Sequence, residues 1–167
     1  MKDLPETARS TDARDYQRVP RPVAAMARDL PPATEIGWHS HPRFQLLYAP
    51  QGVMTVTTES DRWVVPPQRA VWLPPGVRHR LVTSDATKMR TLYIRVGAAR
   101  GMPRRCAVLA VTPLLRELIQ RATELPVEYN RKGPAGRIMR LLHIVNRVKQ
   151  HGIQIPAAFV DDPHALD

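Results

Sequence analysis

With one cysteine, Cys106, in 167 residues, the chain cannot build an internal disulfide framework, and a reducing cytoplasm is the expected compartment. Acidic residues are scarce too, 15 against 25 lysines and arginines, so the formal net charge is +10. Between Arg62 and Arg105 the only acid is Asp85. An excess of this sign concentrates polyanions by long-range attraction. The bases are scattered, however, and the tightest pair is Arg104-Arg105. Charge without an element that enters a groove does not make a DNA reader. No apolar run is long enough to cross a bilayer, and the opening MKDLPETARSTDARDYQR holds none to act as signal or anchor. A membrane is therefore not an expected partner. Also missing are a glycine-rich phosphate loop, a CxxC pair and a serine-nucleophile motif. Cys106 has no motif histidine beside it, which argues against a catalytic thiol.

Aromatics are few (5%) and prolines many (17), a balance that favours strands punctuated by turns over a large helical bundle. Residues 1–20 are polar and charged, with Pro5 and Pro20, and read as a flexible arm. Residues 22–27 suit a first strand, ended by Pro31-Pro32. From Ile36 to Val96 the runs FQLLYA, VMTVTT, RWVV, RAVWL, HRLVTS and MRTLYIRV alternate with turn signals, among them ESD, Pro66-Pro67 and Pro74-Pro75-Gly76. VMTVTT sets Val53, Met54 and Val56 among threonines, the pattern of a half-buried strand. Short, evenly spaced strands of this kind predict a sandwich or small barrel over residues 21–105.

After Pro103 the period becomes helical. TPLLRELIQRATEL places Leu114, Leu115, Leu118, Ile119, Ala122 and Leu125 on one face, with Thr112 as a cap and Pro113 in the first turn. NRKGPAG breaks this helix, and GRIMRLLHIVNRVKQHG forms a second, with Ile138, Leu141, Leu142, Val145 and Val148 on one stripe, Met139 and Ile144 widening it, and Gly152 at its end. That stripe either covers the open side of the barrel or meets the same helix of a second chain, since a self-complementary apolar face suits a two-fold dimer. Residues 106–152 read as a helical segment, for dimerisation on the second of these readings, and residues 153–167 as a linker.

The residues that carry chemistry open the stretch HSHPRFQLLYAPQG. His39 and His41 are two apart and Gln45 four further on, so a regular strand presents all three to one side. His79 follows the Pro74-Pro75-Gly76 turn, which can bring a neighbouring strand alongside. Three imidazoles and one oxygen donor suit a divalent transition metal, Zn, Ni, Fe or Mn, with positions left open. The same histidines also fit a pocket wall that holds no metal. Tyr48, Met54, Trp63, Trp72 and Tyr93 either line an effector pocket or pack the core. Arg43, Arg78 and Arg80 flank the motifs and either grip an anion or lie in solvent.

His39-x-His41-x3-Gln45-x6-Gly52 resembles the first cupin motif, and Pro74-x-Gly76-x2-His79 the second. Three departures stand out: Gln45 where metal-binding cupins usually carry Glu, Gln68 in place of Gly, and Thr83 in place of Asn. A neutral amide is a poorer ligand than a carboxylate and cannot act as a general base. HSHPRFQLLYAPQGVMTVTT, RWVVPPQRAVWLPPGVRHRL, MRTLYI and VTPLLREL are similar to the N-terminal cupin sensor domain of AraC-type transcriptional regulators, from about Arg21 to Leu125. The resemblance implies a mainly β fold, a cupin (double-stranded β-helix) barrel followed by two C-terminal helices. It implies a module that binds a small-molecule effector and forms a homodimer. DNA would be bound only through a C-terminal helix-turn-helix domain, which the closing DDPHALD leads toward and this chain does not include. The alternative is a small metal-dependent cupin enzyme, an oxygenase or isomerase, with metal on His39, His41 and His79. Against it stand Gln45 and the lack of a second acid or base among the motif residues.

Overall fold

The structure, a computed structural model, describes residues 9–149, with side chains through His143. The expectations placed on residues 1–8, on the linker 153–167 and on the side chains of Val145 and Val148 lie outside the described residues.

Two kinds of strand follow from two kinds of sequence pattern. VMTVTT, RWVV and HRLVT alternate, and they form β4 (Met54–Thr58), β5 (Arg62–Val65) and β7 (His79–Thr83), buried at every second residue. With β2 (Glu35–His39) they make an antiparallel sheet in the order β2-β7-β4-β5, one face turned inward and the other to solvent. FQLLYA does not alternate. It lies in β3 (Phe44–Gln51), which is buried on both faces over most of its length. With β1 (Val23–Leu30), β6 (Arg69–Leu73), β8 (Thr87–Ile94) and β9 (Ala107–Ala110) it makes the second sheet, β1-β8-β3-β6-β9. One face of this sheet closes the barrel, and the other carries the two helices.

Each side of that second sheet has its own core. Leu47, Ala49, Val71, Leu73, Met89 and Tyr93 pack inward against Met54, Val56, Trp63, Val65 and Leu81. Phe44, Leu46, Tyr48, Trp72 and Leu92 face the helices. The registers Leu46↔Trp72, Tyr48↔Ala70 and Gln45↔Leu73 keep even positions of β3 on the helix side and odd positions inside. The barrel followed by two helices is the architecture expected from the sequence.

Helix α1 (Pro113–Glu124) starts as its sequence predicts: the Thr112 hydroxyl accepts from the Leu115 N–H, and Pro113 occupies the first turn. Leu115, Leu118, Ile119 and Ala122 are buried on the sheet and Leu125 partly so, whereas Leu114, expected on the same face, is 55% exposed in the first turn. Helix α2 (Pro134–Lys149) adds Met139 and Leu142 to the same core. Leu142 of the expected dimer stripe is 1% exposed in its own chain, and Ile138 is partly covered there. Among the described residues, the large apolar side chains left outside on the helices are Leu114 and Leu141.

Residues 9–20, expected to be a free arm, pack against the barrel. Ala13–Tyr16 forms a 3-10 turn, and Tyr16 is 1% exposed among the barrel's inner side chains. Burying a ring of that size outweighs the polarity of its neighbours. Among the described residues no helix is long and apolar enough to cross a membrane.

Candidate functional site

A break in strand regularity sets the site. Ile36 packs inward, so regular alternation would also send Trp38 inward and His39 out. The register slips between Ile36, opposite Leu81, and His39, opposite His79. This bulge turns Trp38 outward, to 44% exposure, and puts His39 beside His79. On the outer surface the guanidinium groups of Arg78 and Arg80 lie 5.8 and 5.5 Å from the Trp38 ring, so neither is in the site.

The strand does not run from His39 to Gln45 as the in-phase argument assumed. β2 ends at His39, β3 begins at Phe44, and His41 sits in the link between them. The Gly76 N–H donates to the His41 carbonyl at 2.9 Å, docking the Pro74-Pro75-Gly76 turn on this link. Gly76 has φ +77, the left-handed conformation a glycine adopts freely. The turn thus delivers His79 to the two upstream histidines.

One nitrogen from each of the three rings lies within 4.8 Å of the others. Ring centroids are 4.8 Å apart for His39 and His41, 4.3 Å for His39 and His79, and 5.4 Å for His41 and His79. His39 Nδ1 is 2.7 Å from the Gly37 carbonyl and His79 Nδ1 2.9 Å from the Val77 carbonyl. A carbonyl only accepts, so both Nδ1 atoms carry the proton and both Nε2 lone pairs are free. Nε2 of His41 and of His79 are buried with no hydrogen-bond partner. Burial holds both rings well below the usual imidazole range, to about 4, helped by the charge each neighbouring histidine would carry. They are neutral near pH 7, the form in which imidazole binds a metal.

Gln45 lies opposite Tyr93 on the inward face of β3. Its Nε2 donates to Thr91 Oγ1 at 3.1 Å, and Thr91 in turn donates to the Leu46 carbonyl. That leaves the Gln45 Oε1 buried without a partner. Three clustered imidazoles, two of them with orphaned buried nitrogens, fit a divalent transition metal, and the orphaned Gln45 oxygen faces the same barrel interior. The cluster itself has no carboxylate.

The five proposed pocket residues do not line one cavity. Met54, Trp63 and Tyr93 face the barrel interior, and the Tyr93 ring lies 5.1 Å from that of His41. Burial raises the Tyr93 pKa, so its phenol stays neutral. Tyr48 and Trp72 lie on the opposite face of the sheet; Trp72 stacks on Phe44 and donates to the Pro103 carbonyl at 2.8 Å. Tyr16 had no signal of its own in the sequence, and Arg43 takes neither of the two roles expected of it. Tyr16 comes to 6.2 Å from the Tyr93 ring at the barrel end. Arg43, 5% exposed, neither grips an anion nor meets solvent: it donates to the carbonyls of Gln17 at 2.9 Å, Val19 at 2.6 Å and Arg21 at 3.0 Å. It straps residues 17–21 to the link that carries His41.

Comparison with known proteins follows the same lines. Residues 26–148 match the family described as AraC-like ligand binding domain. The chain is 42% identical over 81 residues to the HTH-type transcriptional regulator NimR of Escherichia coli (strain K12), a stretch covering 48% of this chain and 29% of NimR. Among solved structures, ToxT of Vibrio cholerae with unsaturated fatty acid bound has a TM-score of 0.56 at 8% identity, covering 80% of this chain and 57% of ToxT. A cupin 2 conserved barrel domain protein from Salinispora arenicola gives a TM-score of 0.42 at 23% identity, over 48% of this chain and 69% of that one. At such identities the likeness to solved structures concerns the fold alone.

Proposed function

The chain belongs to the AraC-like ligand binding domain family, and from that premise we propose that it senses a small-molecule effector inside its barrel and passes the result to the DNA-binding part of a transcriptional regulator. The proposal includes one divalent transition metal, Zn, Ni, Fe or Mn, on His39, His41 and His79, with the Gln45 Oε1 as a candidate fourth donor. The observation that carries it is the set of buried donor atoms, His41 Nε2, His79 Nε2 and Gln45 Oε1, that no protein group satisfies. An occupant of the barrel would remove the cost of leaving them unpaired.

A bound metal would supply positive charge and open coordination positions for an effector's anionic or hydroxyl group. The chain's own residues do the rest. Met54 and Trp63 form an apolar wall, and the neutral Tyr93 phenol stands between the histidines and Tyr16. An effector admitted beside Tyr93 would change how well Tyr16 seats and, through Arg43, how residues 17–21 are held. A ligand that favours one of these arrangements shifts its population by its differential affinity. Pairing of two chains through the helical segment is part of the same reading, with Leu114 and Leu141 as the exposed apolar contacts and Leu142 kept for the chain's own core.

Metal analysis tests this directly. Protein supplied with Zn, Ni, Mn or Fe should hold about one equivalent, and His39→Ala/His41→Ala should hold none. Zinc at a hundred times its Kd should add about 2.7 kcal/mol of stability to the parent alone. An apo parent under every metal overturns the metal part of the proposal. Effector binding is read separately, as a ligand-dependent thermal shift that Trp63→Ala abolishes.

A further inference from the structure

We propose that the cleft between the barrel edge and α2 is a second small-molecule site, which takes a monocarboxylate with an apolar body. It is independent of the barrel reading, because it lies on the other face of the five-stranded sheet and shares no residue with the histidine site. Its volume is about 430 Å³, within the range of small-ligand pockets. The start of β1, the loop after β8, the α1–α2 connection and the first half of α2 all contribute to its walls.

The cleft has an apolar floor and a basic rim. Val23, Ala98 and Met139 supply the floor. Arg100, Arg131 and Arg140 stand at the rim, no acidic residue lines the cleft, and among the described residues no carboxylate pairs with any of the three. The local fold holds two of these arginines together. Gly136 is wound so tightly on the preceding turn that a Cβ there would lie 2.1 Å from the Arg131 carbonyl oxygen. Arg140 donates to that same carbonyl at 2.8 Å. The Arg140 guanidinium is thereby anchored on the Arg131 backbone, and both residues line the cleft.

Tyr129, 2% exposed, forms the inner wall of the cleft, with its hydroxyl closed off beside the Val23 backbone. A carboxylate at the rim faces the arginines, and the apolar body rests on Val23, Ala98 and Met139. Bidentate guanidinium–carboxylate recognition gives such a site its preference for a carboxylate. The occupant would touch the root of β1 and α2 at once, so its binding would be linked to how α2 sits on the barrel.

The probe is 1-naphthoate, titrated into the full chain by calorimetry, with neutral 1-naphthalenemethanol as the charge control. Naphthoate should bind saturably with a Kd below about a millimolar and the alcohol at least about tenfold more weakly, the value of one charge-assisted contact. Arg100→Gln/Arg131→Gln, both at exposed positions, should weaken naphthoate about tenfold or more without moving the thermal midpoint. Ala98→Trp, which fills the floor, should abolish binding. His39→Ala/His41→Ala should bind as the parent does, so a failure of the barrel proposal and a failure of this one are told apart. The proposal is overturned if naphthoate does not saturate, if the alcohol binds equally well, if the arginine pair or Ala98→Trp changes nothing, or if the histidine variant loses the affinity.

Discussion

Acid should weaken the apo protein through two particular rings. His41 and His79 are held at about 4 in the fold, against about 6.5 in an unfolded chain. Between those values the unfolded chain takes up a proton that the folded one refuses, so stability is full above pH 6.5 and falls as the pH drops toward 4. At pH 5 a shift of this size costs about 2 kcal/mol for a fully shielded ring. His79, 2% exposed, contributes that much; His41, 8% exposed and partly screened by solvent, contributes about 1 kcal/mol. The pair therefore accounts for about 3 kcal/mol between pH 7.5 and pH 5. Urea unfolding of chelator-treated protein at the two pH values, beside His41→Gln/His79→Gln, isolates this contribution from that of the carboxylates. The parent should lose about 3 kcal/mol more than the variant. Equal losses in the two proteins would refute the idea that burial of these rings is what acid attacks.

Three further outcomes follow from the geometry. Gln45→Glu replaces an orphaned amide oxygen with a carboxylate and should tighten zinc about tenfold in a chelator competition; unchanged or weaker affinity would place residue 45 outside the coordination sphere. Gly52→Ala should cost at least about 2 kcal/mol in urea unfolding, because Gly52 has φ +89 and a Cβ there would lie 2.4 Å from Thr87 Oγ1 and 2.7 Å from the Ala86 carbonyl oxygen. A cost under half of that would mean the β3–β4 turn relaxes freely. Arg43→Met strips the guanidinium from three carbonyls and should cost about 3 kcal/mol while exposing Arg14 and Arg18 to trypsin; a cleavage rate there equal to the parent's would show that the segment is held by Tyr16 alone.

Much of the barrel was legible because strand signals are local. VMTVTT, RWVV and HRLVT have one wet face, and the alternation of their side chains states it. The cap at Thr112 and the burial of Leu115, Leu118, Ile119 and Ala122 were legible for the same reason. His39, His41 and His79 could be singled out as a set because their spacing relative to two turns is itself a local pattern. FQLLYA was harder. A strand covered on both sides is apolar throughout and has no period to say which residue faces which core, so Tyr48 and Trp72 were grouped with Tyr93 although the sheet separates them. The slip between Ile36 and His39 leaves no mark in composition, and Tyr16 is a lone ring in a charged stretch.

The order of strands and helices, the turns between them and the identity of the three histidines are thus properties of short stretches, each about the length over which backbone geometry repeats. What covers each apolar face is not. Leu142 and the stripe around it show that α2 needs a partner surface, and only packing against the sheet makes that partner the chain itself. In the same way Arg43 was free, by sequence, to bind an anion or to lie in water, and the fold spends it on the carbonyls of residues 17, 19 and 21. These choices were left to the tertiary structure because they depend on contacts between residues far apart in the chain, where many partners are chemically acceptable and the arrangement that buries the most surface with the fewest unpaired polar groups prevails.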